Sequence, residues 1–240
     1  MRYLVLSDVH ANLTALEAVL ADVGDVDGIW CLGDLIGYGP DPNECVERLR
    51  PLVEMCVAGN HDWACIGKLD ISDFNTDARR ACCWTQGALS PASRAYLEML
   101  PQILIQGDYT LAHGSPRYPI WEYLFHSLSA RENSAHFQTP YCFVGHTHVP
   151  LMFRLEDDAV ETVVPTANSA YSISTGRWII NPGAVGQPRD GDERASYLVL
   201  DTAELTVRFH RVAYPIESTQ QRMVTVGLPP RLVARLSYGW

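Results

Sequence analysis

Five short polar motifs punctuate this chain, and each follows directly on an apolar, strand-like run. Asp8-Val9-His10 follows Tyr3–Leu6, Gly33-Asp34 follows Gly28–Leu32, and Gly59-Asn60-His61-Asp62 follows Leu52–Ala58. His113-Gly114 follows Tyr109–Ala112, and Gly145-His146-Thr147-His148 follows Tyr141–Val144. A β-rich run that ends in acids and imidazoles sets those groups at a strand end, on rigid support. The intervening stretches agree. Asn12 can cap a helix from Leu13 to about Asp22, with Leu13, Leu16 and Leu20 on one face. Asp41, Pro42 and Glu44 read as cap, first-turn proline and capping-box acid for a helix to Arg50. The order to residue 61 is therefore β-α-β-α-β, and open α/β sheets bind ligands beyond the carboxyl ends of their strands.

The stretch from Asp62 to Leu100 reads as mainly helical, with a helix start at Ser90-Pro91 and a stop at Pro101. Ile103–Ile105 and Tyr109–Ala112 form a hairpin across Gln106-Gly107-Asp108, and a second helical stretch covers about Trp121–Phe137. From Tyr141 the pattern changes to short strands: Tyr141–Val144, Leu151–Leu155, Val160–Val164, Trp178–Ile180, Ser196–Leu200 and Leu205–Arg211. Pro215 opens a late helix, and Pro229-Pro230 opens another that ends at Gly239. Neither repeat nor linker interrupts residues 1–240, so one domain with a shared core is expected. The segments at about 62–100 and 119–138 are expected to overhang the strand ends.

Composition narrows the function. Hydrophobic residues at 47% and charged residues at 19% suit a globular enzyme, not a disordered chain. No apolar run approaches the roughly 18 residues of a membrane span, and Met1–Leu6 is too short for a signal peptide. A formal net charge of -10 opposes non-specific binding to nucleic acid, so an anionic substrate needs a local source of positive charge. The seven cysteines include no C-x-x-C pair, which argues against a thiolate zinc site or a disulfide framework and suggests a reducing cytoplasm.

Asp8, His10, Asp34, Asn60, His113, His146 and His148 offer oxygen and imidazole donors. That mixture suits Mn, Fe, Zn, Co or Ni better than Ca or a pure Mg site, with manganese the first expectation. Seven side chains are too many for one tetrahedral ion and suit two ions of higher coordination that share a carboxylate. Each motif alone has an ordinary reading. Gly-Asp is usually a turn, Asn60 could cap a helix, and a lone histidine is usually structural. The weight lies in five motifs in order, each after a strand. His126, His136 and His210 lack that setting and read as surface or structural residues.

This ordered set resembles the calcineurin-like metallophosphoesterase superfamily along nearly the whole chain. The run Asn181-Pro182-Gly183-Ala184-Val185-Gly186-Gln187-Pro188-Arg189-Asp190-Gly191, with Gly227-Leu228-Pro229, is similar to small prokaryotic phosphodiesterase-like members. The resemblance implies an α/β (α+β) fold: two packed mixed β-sheets flanked by helices, a four-layer sandwich. It implies that Asp8, His10 and His148 bind one divalent ion, that Asn60, His113 and His146 bind another, and that Asp34 bridges both. It leaves His61 as the catalytic residue on the leaving group. Protein Ser/Thr phosphatases of the superfamily carry an Asp and an Arg shortly after the Gly-Asp motif, and Leu35-Ile36-Gly37-Tyr38-Gly39-Pro40 has neither.

Hydrolysis of a phosphodiester in a small organic or nucleotide substrate, by water activated between two metals, is the expected activity. A phosphomonoesterase or a dinucleoside polyphosphate hydrolase comes next, and a non-catalytic metal-binding scaffold last. Arg189 is a candidate phosphate clamp, because guanidinium pairs with phosphate in a bidentate way. Asn12 is a cap or a phosphate contact. Asp62 is a helix N-terminal acid, or a group that orients His61 or a ligand. Trp63, Trp121, Tyr118 and Tyr123 lie where aromatic rings could overhang the site and stack on a base, or simply pack.

Overall fold

Residues 1–156 and 159–240 are described by a computed structural model. Its two six-stranded mixed sheets lie face to face. In the first, β1 (Arg2–Leu6), β2 (Gly28–Cys31) and β3 (Val53–Cys56) run parallel. The second contains β4 (Ile103–Gln106), β5 (Tyr109–Ala112), β6 (Tyr141–Phe143), β7 (Pro150–Leu155) and β8 (Val160–Val163). β9 (Ala170–Ser172) returns to the edge of the first sheet, and β10 (Arg177–Pro182) sits in the second. β11 (Ala195–Asp201) and β12 (Thr206–Val212) complete the first, in the order β3-β2-β1-β11-β12-β9. The second has the order β4-β5-β6-β10-β7-β8, with β5, β6 and β10 mutually parallel.

Alternation along β1 shows how the layers form. Tyr3 and Val5 face the second sheet, in a core with Trp30, Phe143, Ile180 and Leu198. Leu4 and Leu6 face the other way, toward Leu16, Leu49 and Leu97. Those three lie on α1 (Leu13–Asp22), α2 (Pro42–Leu49) and α5 (Pro91–Met99). On the outer face of the second sheet, α6 (Ser127–Asn133) packs against β7 and β8. The result is the expected arrangement of two mixed sheets between helices.

Parallel strands end on the same edge. β1, β2 and β3 deliver residues 8, 34 and 60 there, and β5, β6 and β10 deliver residues 113, 146 and 187 from the facing sheet. The sequence motifs thus meet because of strand direction, not because of nearness in the chain.

Local expectations were met unevenly. Asn12 caps α1, its Oδ1 accepting from Ala15 N at 3.2 Å. Asp41 precedes α2 without capping it; its carboxylate instead pairs with both Nε and Nη2 of Arg222, at 2.9 and 2.8 Å. The helical stretch at 62–100 resolves into the end of α3 (Asn60–Cys65), then α4 (Thr76–Ala88) and α5. The helix expected over Trp121–Phe137 is cut to α6 and a 3-10 turn at Ser134–His136. Glu122 explains the difference. Its carboxylate accepts from Ser115 Oγ at 2.5 Å and Asn133 Nδ2 at 2.9 Å and pairs with Arg117, so the chain wraps around it. β9 was not foreseen: three half-exposed residues, Ala170-Tyr171-Ser172, carry no apolar alternation.

The inter-sheet core should dominate stability. Leu198→Ala, at a fully buried position, is expected to cost about 2–5 kcal/mol. Val164→Ala, 72% exposed, should stay within about 0.5 kcal/mol. Urea unfolding midpoints of the two variants check the contrast.

Candidate metal centre

Five of the seven candidate donors sit in left-handed backbone: Asp8 (φ 54°), His10 (49°), Asp34 (52°), His146 (66°) and His148 (60°). A non-glycine residue there costs roughly 1–3 kcal/mol, so the surroundings must enforce it. They do so through cross-loop hydrogen bonds. Asp8 N and His10 N donate to Gly33 O and Asp34 O at 3.0 and 2.9 Å, and Gly145 N donates to His113 O at 2.7 Å. From the run after β10, Gly186 N donates to Asp8 O at 2.9 Å, while Asn181 Nδ2 donates to Gly145 O at 2.7 Å. Gly59 is required by space: a Cβ there would lie 2.0 Å from Asp34 Oδ1.

The strained loops turn their side chains inward. Asp8, His10 and His148 form one buried group; Asp34, His113 and His146 form another. Asn60 joins the second, its Oδ1 3.1 Å from His113 Nε2. Asp34 Oδ2 lies 3.6 Å from His10 Nε2 and 3.3 Å from His113 Nε2, and so faces both groups. Each carboxylate divides its work. Asp34 Oδ1 accepts from His61 N at 2.8 Å and Asp8 Oδ2 from His146 N at 3.1 Å, while Asp34 Oδ2 and Asp8 Oδ1 are buried without a hydrogen-bond partner.

The imidazoles repeat this pattern. Nδ1 of His10, His113 and His148 faces the carbonyl of Ile36, Leu32 and Gln187 at 3.2, 2.8 and 2.5 Å. A carbonyl only accepts, so each Nδ1 carries the hydrogen and each Nε2 presents a lone pair. Yet His10 Nε2 and His148 Nε2 are 3.1 Å apart, and His113 Nε2 is 3.1 Å from His146 Nδ1. Between His10 and His148 these are facing lone pairs, which repel unless a cation lies between them. At a metal–nitrogen distance of about 2.1 Å, two ligand atoms at right angles lie about 3 Å apart. The observed spacing fits that geometry.

Electrostatics agrees. Burial holds His10, His146 and His148 below the ordinary histidine range, in the neutral form that ligation requires. Burial opposes ionisation of Asp8 and Asp34, but His148 and His113 respectively outweigh it and keep both carboxyls low. His113 is the exception: burial works against its charge, but Asp34 lifts it to about 9, so without a cation its Nε2 holds a proton toward Asp34 that ligation would have to displace.

His61 stands beside these groups, not within them. Its ring lies 5.0 Å from that of His10 and 4.2 Å from that of Tyr38, and its Nδ1 is 3.5 Å from Cys82 Sγ. Sequence reading did not find Cys82, which comes from α4 in a helical repeat without a chemical motif. His61 lines a cavity of about 240 Å³ with Tyr38, Phe74, Trp121 and Tyr123. Tyr123 also stacks on His146, centroids 3.9 Å apart. Of the other two flagged aromatics, Trp63 packs on the helical core and Tyr118 is exposed beside Arg117. His126 and His136 are exposed, and His210 stacks on Tyr197.

Asp62 is fully buried and does not touch the His61 ring. Its Oδ2 accepts from Asp34 N and Gly59 N at 2.8 and 2.9 Å, and its Oδ1 from Ile36 N at 3.2 Å. It therefore fixes the backbone of Asp34. Asn12 has no hydrogen left for a phosphate: its Nδ2 donates to Gly186 O and Tyr214 Oη at 3.0 and 3.2 Å, and its Oδ1 also accepts from Thr219 Oγ1 at 2.9 Å. These bonds brace the loops around Asn12. Arg189 is near the centre, its guanidinium 5.8 Å above the Tyr38 ring and its Nε buried without a partner.

Residues 1–205 match the sequence profile of the calcineurin-like phosphoesterase superfamily domain. The chain belongs to that superfamily. It is 54% identical to a metallophosphoesterase from Sphaerobacter thermophilus, with a TM-score of 0.93 over 100% of this chain and 99% of that one. It is 37% identical to an uncharacterized protein of Methanocaldococcus jannaschii, over 98% of this chain and 97% of the relative. A symmetrical bis(5'-nucleosyl)-tetraphosphatase of Pectobacterium carotovorum is 44% identical over 66 residues, 25% of this chain and 23% of that one. As a calcineurin-like phosphoesterase the chain is a hydrolase by family. No helix among the described residues is long and apolar enough to cross a membrane.

Asp62→Asn should test the support beneath Asp34. An amide oxygen cannot accept all three backbone bonds, and each one lost costs roughly 1–3 kcal/mol when its donor stays buried. Metal affinity, measured by calorimetry, should fall about 10–100-fold, together with a lower unfolding midpoint.

Proposed function

We propose that this protein is a dinuclear metal-dependent phosphoesterase that cleaves phosphodiester linkages in small organic or nucleotide substrates, with residues 1–240 forming one catalytic domain. The observation that carries the reading is the pair of facing, buried lone pairs of His10 and His148 at 3.1 Å, beside two half-satisfied carboxylates. Asp8, His10 and His148 would hold one cation, Asn60, His113 and His146 the other, and Asp34 Oδ2 would contact both. The donors suit manganese first, with Fe, Ni, Co or Zn as alternatives. Such a pair, when bound, lowers the pKa of water and neutralises charge on phosphoryl oxygens.

The chain's own residues do the rest. His61 is the proton donor to the departing oxygen. Burial opposes its charged form, but Tyr38 and then Cys82 outweigh burial and raise it to about 10. The contact from Cys82 to Nδ1 also turns the ring, in the place where an acidic orienter is absent. Tyr38, Phe74, Trp121 and Tyr123 give room for a leaving group, which favours a diester over a monoester. Arg189 would clamp a phosphoryl oxygen. An intact His61 speaks against a scaffold. Seven free thiols, six of them buried, fit a reducing cytoplasm.

Manganese at a hundredfold excess over its Kd should stabilise the fold by about 2.7 kcal/mol, read as a rise in Tm that a chelator reverses. Asp34→Ala should abolish this rise along with turnover of bis(p-nitrophenyl) phosphate; full activity in that variant would sink the proposal. His61→Ala should keep the Tm rise yet lose about 10²–10⁴-fold in kcat on diesters with poor leaving groups, as expected for general-acid catalysis.

A further inference from the structure

Three arginines from two parts of the chain lie near one another, and two of them reach the loop that holds the donor cluster. Gln187, whose carbonyl holds His148, accepts on its side-chain Oε1 from Arg189 Nη2 and from Arg235 Nη1, both at 3.2 Å. Arg231 and Arg235 belong to α8 (Pro230–Arg235) and line a cavity of about 330 Å³ with Asn75, Thr76, Asp77 and Leu232. Asn75 also lines the cavity that holds His61, so the two spaces adjoin. Among the described residues none of the three arginines has a carboxylate within 4.0 Å, although Asp77 shares the cavity.

This charge is concentrated and uncompensated in a chain of net charge -10. Burial, and after it repulsion from Arg189, pulls Arg235 below the usual arginine range. Crowded guanidinium groups that outnumber the one acid beside them, Asp77, form a receptor for a polyanion, since each can present paired N–H donors to phosphoryl oxygens.

We propose that Arg235 and Arg231, together with Arg189, bind a second phosphoryl group of the substrate, so that the linkage cleaved is a phosphoanhydride. The inference rests on the dinuclear reading above, keeps its site, and shifts the preferred linkage from a diester to the phosphoanhydride of a nucleotide substrate. In the reaction one water is consumed. Its oxygen bonds to the attacked phosphorus, the bond from that phosphorus to the bridging oxygen breaks, and the bridging oxygen leaves with the second phosphoryl group. The protons of the water pass to solvent, while His61 donates its proton to the departing bridging oxygen and regains one from solvent. The departing phosphate is already a stable anion, and the arginines hold it.

The test uses the full chain, its Arg231→Gln/Arg235→Gln double variant and Arg235→Lys. With manganese, kcat/KM is measured on diadenosine tetraphosphate and on bis(p-nitrophenyl) phosphate. The ratio of the first to the second should fall at least tenfold in the double variant, mainly through KM, and recover partly in Arg235→Lys. A ratio within twofold of the parent overturns the proposal. Tripolyphosphate binding to metal-free protein, followed by calorimetry and as a Tm shift, gives a second readout that does not need turnover. Binding by the parent that the double variant loses supports the site even where no ester is hydrolysed. Absence of binding overturns it even where the diester is turned over, which separates its failure from failure of the dinuclear reading.

Discussion

Two buried carboxylates, each half used, hold this structure's chemistry in place. Asp8 and Asp34 spend one oxygen on a backbone N–H of a neighbouring loop and leave the other bare. The bonded oxygen ties the loops of one sheet to those of the other, or of β2 to β3. The bare oxygen faces imidazole nitrogens that have themselves given their hydrogen to carbonyls. Asp8, Asp34, His10 and His148 are thus satisfied on the outer side and unsatisfied on the inner side. Buried polar atoms without partners are expensive, so so many at one point is a built demand for positive charge.

That demand explains the strain around it. Left-handed backbone at Asp8, His10, Asp34, His146 and His148 points alternate side chains to one place. Asp62, read from the sequence as a helix acid or an orienting group, holds the backbone of Asp34, and Asn12, read as a cap or a phosphate contact, holds the neighbouring loops. Their burial makes sense as bracing, because a site whose donors must converge within a few tenths of an ångström needs its loops immobilised from behind.

The sequence made some of this legible and hid the rest for physical reasons. The strand-end motifs could be read because each donor sits directly after an apolar run, and parallel strands put such ends on one edge. Asp41 misled: its place before Pro42 has a capping signature, but Arg222, far along the chain, competes for the same carboxylate and wins. The helix expected from Trp121 failed for a similar reason, with Glu122 gathering Ser115, Arg117 and Asn133 about itself. Cys82, Arg231 and Arg235 gave no local signal, since each matters only through a neighbour that folding brings to it.

The wide scatter of the donors bears on how the molecule comes into being. His10 and His148 face each other at 3.1 Å across 138 positions of chain. On the proposed dinuclear reading, neither sheet alone carries a complete set of donors for either cation. No earlier fragment made during synthesis would then capture metal with the final geometry. The chain must first emerge beyond residue 148, and the sheets must dock. Contacts of such long range form slowly, so cation capture would come late and act as a lock on an already assembled fold, not as a seed for it.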